Sequence, residues 1–189
     1  MSGKTGVAEI LRESGAWLKG HFLLTSGLHS DQFLIMARAF EVPRLGRQLG
    51  QMVAELFREE RVEAVVGPAM GGVILAYEVA AALGARALFA EKADQGMVLK
   101  RGFRLGAGER VLVVEDAVST GGSVQRLLDH LESHPAQVVG VGAVADRSEG
   151  RANFKVPFRA AWSLAVQQWP AADCPLCAQG QPLRRPKEE

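Results

Sequence analysis

Residues 111–123 read V-L-V-V-E-D-A-V-S-T-G-G-S and set two adjacent acids directly before a loop of small residues. Four apolar β-formers precede Glu115 and Asp116, and apolar residues recur behind the loop at helical spacing, at Val124, Leu127, Leu128 and Leu131. This pattern predicts a buried strand, an acidic turn, a Gly-rich loop and a helix. Such a loop directs backbone N–H groups at a phosphate, and adjacent carboxylates suit sugar hydroxyls or hydrated Mg²⁺. The stretch therefore predicts a site for a phosphorylated sugar.

The elements around this stretch alternate between strand and helix patterns. Apolar strand-length runs occupy 64–66, 85–90, 138–144 and 160–166, and helical patterns occupy 43–57 and 73–83. This order predicts an α/β fold, a mostly parallel, doubly wound sheet flanked by helices. Ligands bind such sheets outside the carboxyl ends of the strands. We therefore expect the site to be built from three loops, at 67–72, 115–123 and 145–150.

Three segments depart from that alternation. A short helix near Val7 is followed by a 21–38 segment that predicts two antiparallel strands, expected to form a small N-terminal hood over one end of the sheet. Residues 91–104 are polar and lack an apolar period, which predicts a mobile lid. We expect one domain over 1–189, with a core of about 41–167 and a hood of about 1–40 joined by the Pro-rich tail.

The composition excludes several classes of protein. With 22 basic and 21 acidic residues the net charge is +1, so no basic footprint indicates nucleic acid or an anionic membrane as partner. The longest apolar runs have the length of strands, and no signal sequence is evident. We expect a cytoplasmic protein.

The two cysteines, Cys174 and Cys177, have the spacing of half a zinc site. There is no third cysteine and the tail contains no histidine, so a complete site would need ligands from distant residues or another subunit. A turn stabilised by Pro175 is the favoured interpretation.

The motif at 111–123 resembles the 5-phosphoribosyl-1-diphosphate (PRPP) motif of type I phosphoribosyltransferases. Within that family the chain most resembles the orotate phosphoribosyltransferases, through G-H-F-L-L-T-S-G-L-H-S-D at 20–31, V-V-G-P-A-M-G-G-V-I-L-A-Y-E-V-A at 65–80 and A-D-R-S-E-G at 145–150. The L-K-R-G-F sequence within 91–104 and the tail C-P-L-C-A-Q-G-Q-P-L at 174–183 resemble the same group. The resemblance implies transfer of the phosphoribosyl group of PRPP to orotate, giving orotidine 5′-monophosphate and pyrophosphate in pyrimidine biosynthesis. It also implies Mg²⁺ as cofactor.

The resemblance assigns roles at the PRPP motif. Glu115 and Asp116 would contact the ribose hydroxyls, directly or through Mg²⁺-bound water, and Asp116 would be catalytic. The remaining residues would hold the 5-phosphate, mainly by backbone N–H groups: Ala117, Val118, Ser119, Thr120, Gly121, Gly122 and Ser123.

The resemblance also implies an orotate site. Arg147 would pair with the orotate carboxylate, because a guanidinium fork matches a carboxylate in bidentate fashion. Ser119 and the hood residues Ser26, His29 and Phe33 would complete the base-binding side.

The leaving pyrophosphate would meet a backbone loop that includes Met70 and Gly71. Some relatives carry a lysine at the Gly71 position, so here positive charge must come from the lid, from Lys92, Lys100 and Arg101. Lys92 and Lys100 would be catalytic. In the family the lid reaches into the neighbouring subunit's site, which implies a homodimer.

Two other functions are weighed against this prediction. One is a phosphoribosyltransferase for another nucleobase, since purine-specific relatives share the PRPP motif but usually lack the S-G-L-H-S segment. The other is a regulator that senses PRPP without catalysis, although such proteins commonly add a basic nucleic-acid-binding segment that is not visible here. A dinucleotide-binding domain is weaker still, because G-x-G-x-x-G after the first strand is missing.

Overall fold

The computed structural model of the protein describes residues 6–94 and 96–186. The chain divides into two compact units. Of the described residues, 6–42 and 165–186 contribute to one unit, and those between 43 and 164 form the other. Among the described residues no helix combines the length and the apolar character that crossing a bilayer requires.

The smaller unit is built on a three-stranded antiparallel sheet. Helix α1 (Val7–Glu13) buries Val7, Ile10 and Leu11. Strands β1 (Trp17–Leu23) and β2 (His29–Leu34) pair around a turn in which Leu24 N donates to Leu28 O at 2.8 Å. The two strands predicted at 21–38 are confirmed, but a helix that was not predicted, α2 (Met36–Glu41), occupies the end of that segment.

The C-terminal tail is folded along this sheet. Strand β9 (Gln168–Trp169) pairs with β2, and α6 (Pro175–Ala178) follows a short 3₁₀ turn. Farther on, Leu23 N donates to Arg184 O at 3.0 Å and Arg184 N donates to His21 O at 2.9 Å. The tail therefore pairs with both outer sides of the β1–β2 hairpin.

The larger unit contains a six-stranded sheet in the order β5-β4-β3-β6-β7-β8. All neighbours are parallel except β5, which is antiparallel to β4. The strands are β3 (Ala64–Pro68), β4 (Arg86–Ala93), β5 (Gly96–Leu99), β6 (Arg110–Val118), β7 (Gln137–Asp146) and β8 (Phe158–Ser163). The principal helices are α3 (Pro43–Glu55), α4 (Gly71–Leu83) and α5 (Gly122–Leu131). The predicted α/β fold with a mostly parallel sheet is confirmed.

Helices cover both faces of this sheet. Val111 and Val113 on β6 share one core with Val124 and Leu127 on α5. On the opposite face, a Cβ on Gly142 of β7 would lie 2.9 Å from Val53 Cγ1 of α3. The missing side chain of Gly142 thus lets α3 lie directly on the sheet. Helices therefore cover both faces, as is usual for a parallel sheet whose strands alternate with helices.

The segment at 91–104 is more ordered than its sequence predicts. β4 continues to Ala93 and pairs with β5 from Ala90↔Leu99 to Ala93↔Gly96, although Gln95 lies outside the described residues. Met97 is 2% exposed, and Leu99 N donates to His130 Nε2 on α5 at 3.1 Å. One buried side chain and strand pairing thus hold a β-hairpin in this segment, and its apolar pattern is too short to detect in the sequence. Its mobility stays a prediction.

The acidic turn predicted after β6 is also corrected. Glu115 and Asp116 lie within the strand, which continues to Val118 because β7 pairs with it as far as Val118↔Asp146. The connection to α5 is therefore short, and Gly121 caps the helix with φ of 75°.

Gly121→Ala is expected to lower the free energy of unfolding by about 1–2 kcal/mol, because an L-residue in the left-handed region is strained. A Cβ there would also lie 2.8 Å from Phe154 Cζ. Chemical denaturation measures the effect. Gly122→Ala is the matched control, since its Cβ would meet nothing closer than Arg126 Nη1 at 3.5 Å. Equal losses of stability in the two variants would contradict this account.

Candidate active site

The candidate site lies where the strand order of the large sheet reverses. From β3 the chain moves to β4 on one side, whereas β6, β7 and β8 follow on the other side. The β3–β6 pairing stops at Val66↔Val113, but β6 runs on to Val118. This leaves a crevice between the carboxyl ends of β3 and β6, which is the usual position of ligands in such sheets.

Glu115 and Asp116 lie at the crevice end of β6. Asp116 Oδ1 accepts from Ala117 N at 2.6 Å, and Glu115 Oε1 accepts from Asp116 N at 3.3 Å. Glu115 is 9% exposed. Its burial, together with the negative charge of Asp116, raises the pKa of Glu115 to about 8. At neutral pH Glu115 is therefore protonated. A bound cation, or a hydroxyl that donates a hydrogen bond to it, would favour its ionised form.

The loop behind the acids curves around an open concavity of about 250 Å³. Ser119 and Thr120 are exposed, and Gly121 leads into α5. The concavity is lined by Glu115 and by all of residues 117–124, so the predicted phosphate-binding segment does enclose one space. The first turn of α5 faces this loop, and unpaired N–H groups at a helix N-terminus favour an anion.

Arg147 follows the neighbouring strand β7. Its backbone N donates to Val118 O at 2.8 Å, which holds the residue beside the phosphate loop. Its Nε is buried and has no hydrogen-bond partner among the described residues. Burial lowers the pKa of Arg147 from its ordinary value. A buried guanidinium donor without a partner is suited to an anionic ligand, since an unpaired buried donor is otherwise costly.

The next residue, Ser148, was missed by the sequence reasoning. It is fully buried, and its Oγ also lacks a hydrogen-bond partner within residues 6–94 and 96–186. Its backbone N donates to Asp146 Oδ1 at 2.8 Å. A serine beside charged residues resembles an ordinary loop residue, so only the fold reveals a second unsatisfied group next to Arg147.

The loop after β3 lies against the acidic pair. A Cβ on Gly71 would be 2.7 Å from Asp116 Oδ2, so the predicted pyrophosphate loop and the acidic pair are brought together. Met70, joined to Ala69 by a cis peptide bond, is 85% exposed. The α4 N-terminus begins at Gly71 and opens onto the same crevice.

The basic residues of the predicted lid differ in their surroundings. Arg101 Nε donates to Glu91 Oε1 at 2.6 Å, so its charge is already paired. Lys92 and Lys100 are exposed and form no ion pair among the described residues. The two lysines are therefore the better candidates for contact with a polyanion, and their catalytic role stays a prediction.

The residues predicted on the base-binding side belong to the smaller unit. Ser26 is exposed at the tip of the β1–β2 turn. Phe33 is 8% exposed and packs on Phe22 with ring centroids 5.7 Å apart, so most of its ring belongs to the core of that unit. His29 Nδ1 lies 2.9 Å from His21 Nε2 and 3.3 Å from Cys177 Sγ. A contact between His29 and orotate stays a prediction.

Glu115→Gln is expected to flatten the pH dependence of stability. The folded protein keeps the Glu115 proton up to pH about 8, whereas the unfolded chain releases it near pH 4.5. Between these values Glu115 makes stability fall with rising pH by up to about 1.4 kcal/mol per pH unit. Denaturant titrations from pH 5 to 9 measure the slope. The exposed Glu41→Gln is the control, and a slope unchanged by Glu115→Gln would contradict the buried, protonated state.

Comparisons with known proteins agree with this geometry. The family described as "Phosphoribosyl transferase domain" matches residues 39–159. The orotate phosphoribosyltransferase of Thermoanaerobacter sp. (strain X514) is 48% identical over 183 residues, covering 97% of this chain and 96% of that protein. That of Thermus thermophilus is 49% identical over 178 residues, covering 94% of this chain and 97% of that protein.

A solved structure extends the likeness to the fold. The orotate phosphoribosyltransferase from Aeropyrum pernix superposes with a TM-score of 0.73 at 26% identity, covering 84% of this chain and 93% of that one. The match in sequence spans nearly the whole chain, and it includes the crevice, the phosphate loop and the Arg147 segment. The chain belongs to the phosphoribosyltransferase family, within its orotate phosphoribosyltransferase branch.

Proposed function

We propose that the protein is an orotate phosphoribosyltransferase, which transfers the 5-phosphoribosyl group of PRPP to N1 of orotate and releases pyrophosphate. The observation that carries the proposal is the buried, unpartnered Nε of Arg147 beside a phosphate-binding loop. Near-full-length relatives at 48–49% identity carry the orotate phosphoribosyltransferase name, which supports the choice of orotate.

The PRPP end of the site would act through backbone groups. Gly121 has a left-handed backbone and turns the chain into α5, so that N–H groups of the loop and the helix face one concavity. Glu115 lines that concavity, and Glu115 and its neighbour Asp116 would accept hydrogen bonds from the ribose hydroxyls. Holding the ribose from one side leaves its C1 free for the base.

The residues of this cleft fit Mg²⁺. Glu115 and Asp116 offer the hard oxygen ligands that Mg²⁺ and its bound water prefer. When bound with PRPP, the ion would neutralise charge on the leaving pyrophosphate. Burial and the negative charge of Asp116 raise the pKa of Glu115, and a bound cation would offset both effects. The requirement for Mg²⁺ stays a prediction.

The base end of the site would depend on Arg147. The carboxylate of orotate is planar and matches two N–H donors of a guanidinium. Burial strengthens such a pair, because fewer waters compete for either group. Ser148 Oγ, also buried and without a partner among the described residues, offers the same ligand a second hydrogen-bonding group beside Arg147.

A homodimer with a shared lid is part of the proposal. Three large apolar side chains of the loop and helix after β3 are exposed, Met70 by 85%, Ile74 by 49% and Tyr77 by 65%. Their spacing places them along one side of α4, and an apolar face of this kind supports contact with a second copy. Lys92 and Lys100, which lack ion-pair partners among the described residues, would then serve the partner's site.

The two alternative functions, transfer to another base and PRPP sensing without catalysis, explain less of the site. A phosphoribosyltransferase for another base would share the PRPP cleft but has no evident use for the unpartnered Arg147 donor. A PRPP sensor would keep the cleft without turnover. Neither is favoured by the relatives found. The cytoplasmic location stays a prediction.

Turnover of orotate with PRPP and Mg²⁺, followed by loss of orotate absorbance, tests the function. Arg147→Ala is expected to raise the apparent KM for orotate by about 10- to 100-fold, as expected for loss of a charged hydrogen-bonded pair, with a much smaller change for PRPP. Arg86→Ala is the control, since Arg86 begins β4 at the opposite end of the sheet. Equal effects on both substrates would remove Arg147 from the base site, and turnover only with adenine, uracil or hypoxanthine would refute the orotate assignment.

Mixing two inactive variants tests the shared lid. Lys100→Ala and Asp116→Asn are each expected to lower kcat strongly in a folded protein. After subunit exchange, a 1:1 mixture of a symmetric dimer should regain about a quarter of native activity, since about half of the dimers then contain one intact site. Asp116→Asn mixed with Glu115→Gln is the control and should regain nothing, because each subunit then carries a changed residue in its own acidic pair and no site is intact. No recovery despite demonstrated exchange would refute the shared lid.

A further inference from the structure

A cluster of metal-ligating side chains lies in the smaller unit and has no part in the proposed reaction. It consists of His21 on β1, His29 on β2, Cys174 at the start of α6 and Cys177 within α6. One ligand atom from each of the four lies within 4.8 Å of all the others. We refer to these four residues as the His₂Cys₂ cluster.

The separations within the His₂Cys₂ cluster suit a single ion. Cys174 Sγ and Cys177 Sγ lie 3.5 and 3.6 Å from His21 Nε2, and Cys177 Sγ lies 3.3 Å from His29 Nδ1. Tetrahedral Zn²⁺, with bonds of about 2.0–2.1 Å to nitrogen and 2.3 Å to sulfur, sets nitrogen and sulfur about 3.5 Å apart. The two nitrogens are 2.9 Å apart and would have to separate by about half an ångström on binding.

The orientation of His21 agrees with a ligand role. Its Nδ1 lies 2.8 Å from Gln181 O, a carbonyl that can only accept, so Nδ1 carries the proton and Nε2 presents a lone pair to the cluster. A register shift in β1 between Lys19 and Phe22 marks a bulge at this point. Bulges re-aim side chains at functional positions, and here the strand turns His21 towards the two thiols.

A redox role or an iron–sulfur cluster would explain the two cysteines, but not their arrangement with the two histidines. Cys174 and Cys177 are free thiols, and a redox pair would leave the two histidines beside them without a role. An iron–sulfur cluster would place its ligands around several atoms, whereas these ligand atoms converge on one position. Two thiolates and two imidazoles in a tetrahedral arrangement are typical of a closed zinc site.

We propose that His21, His29, Cys174 and Cys177 bind one structural Zn²⁺ that joins the C-terminal tail to the β1–β2 hairpin. Four protein ligands complete the coordination shell, so no position remains for substrate and the ion would not be catalytic. The tail makes a two-residue strand with β2 and one bridge to β1. These are few contacts for a long segment, and an ion bound by both partners would order it.

The metal content of the purified full-length protein tests this proposal. We expect about one zinc per chain by elemental analysis, falling below about one tenth in Cys177→Ser and in His21→Ala. Cys177 is exposed and offers a variant with little effect on packing. Chelation should lower the thermal unfolding midpoint of the native protein but not that of Cys177→Ser.

Reconstitution of the chelated protein with Co²⁺ identifies the ligand set. We expect the intense visible absorption of tetrahedral Co²⁺ with a thiolate charge-transfer band, and loss of that band in the Cys174→Ser, Cys177→Ser double variant. His134→Ala is the matched control, since it removes a histidine on the other unit and should leave zinc content and spectrum unchanged. Orotate turnover by the His134→Ala and Cys177→Ser proteins is measured in the same experiment. Loss of the proposed enzymatic function can then be distinguished from absence of the zinc site.

Three results would overturn the zinc site. One is native protein that contains no zinc and shows only octahedral Co²⁺ absorption after reconstitution. A second is a zinc content that survives in both Cys177→Ser and His21→Ala. The third is a Cys174–Cys177 disulfide in protein purified without reductant, with no bound metal.

Discussion

The close approach of the loop after β3 to the end of β6 is the constraint on which the active site depends. A Cβ on Gly67 would overlap Gly72 O, one on Gly72 would lie 3.0 Å from Val114 O, and one on Gly71 would lie 2.7 Å from Asp116 Oδ2. Gly67 therefore lets the connection after β3 fold closely on itself, and Gly71 and Gly72 let it lie against β6. That contact converts the end of a parallel sheet into a narrow crevice with carboxylates on one side and the α4 N-terminus on the other.

The crevice holds two ionisable groups whose ionised forms the protein itself does not stabilise. Burial and Asp116 raise the pKa of Glu115 to about 8, while burial lowers that of Arg147, whose Nε has no partner among the described residues. Both groups lie at the ends of adjacent strands. A folded protein keeps unfavourable burial of this kind where a ligand supplies the missing partners. The two groups call for ligands of opposite character, hydroxyls or a cation at Glu115 and an anion at Arg147.

The smaller unit is organised by its tail as much as by its core. The tail pairs with β2 through β9 and with β1 through Arg184, and it brings two thiols to two histidines of the hairpin. The amino- and carboxyl-terminal parts of the chain, far apart in sequence, thus form one unit. His29 Nδ1 therefore faces His21 and Cys177, although His29 lies within a segment that resembles the base-binding side of the family.

The sequence by itself determined the family, the α/β class and the PRPP motif, because each depends on contiguous residues. The apolar runs at 64–66 and 138–144 lie within β3 and β7, as their sequence predicts. In β6, two acids directly follow four β-forming residues, and adjacent carboxylates in that position indicate a binding site without any knowledge of the fold. Only the tertiary structure decided the neighbours of those residues. The convergence of His21 with Cys177, the unsatisfied Ser148 and the hairpin at 86–99 arise from strand pairing and burial between distant segments, which no local period or spacing encodes.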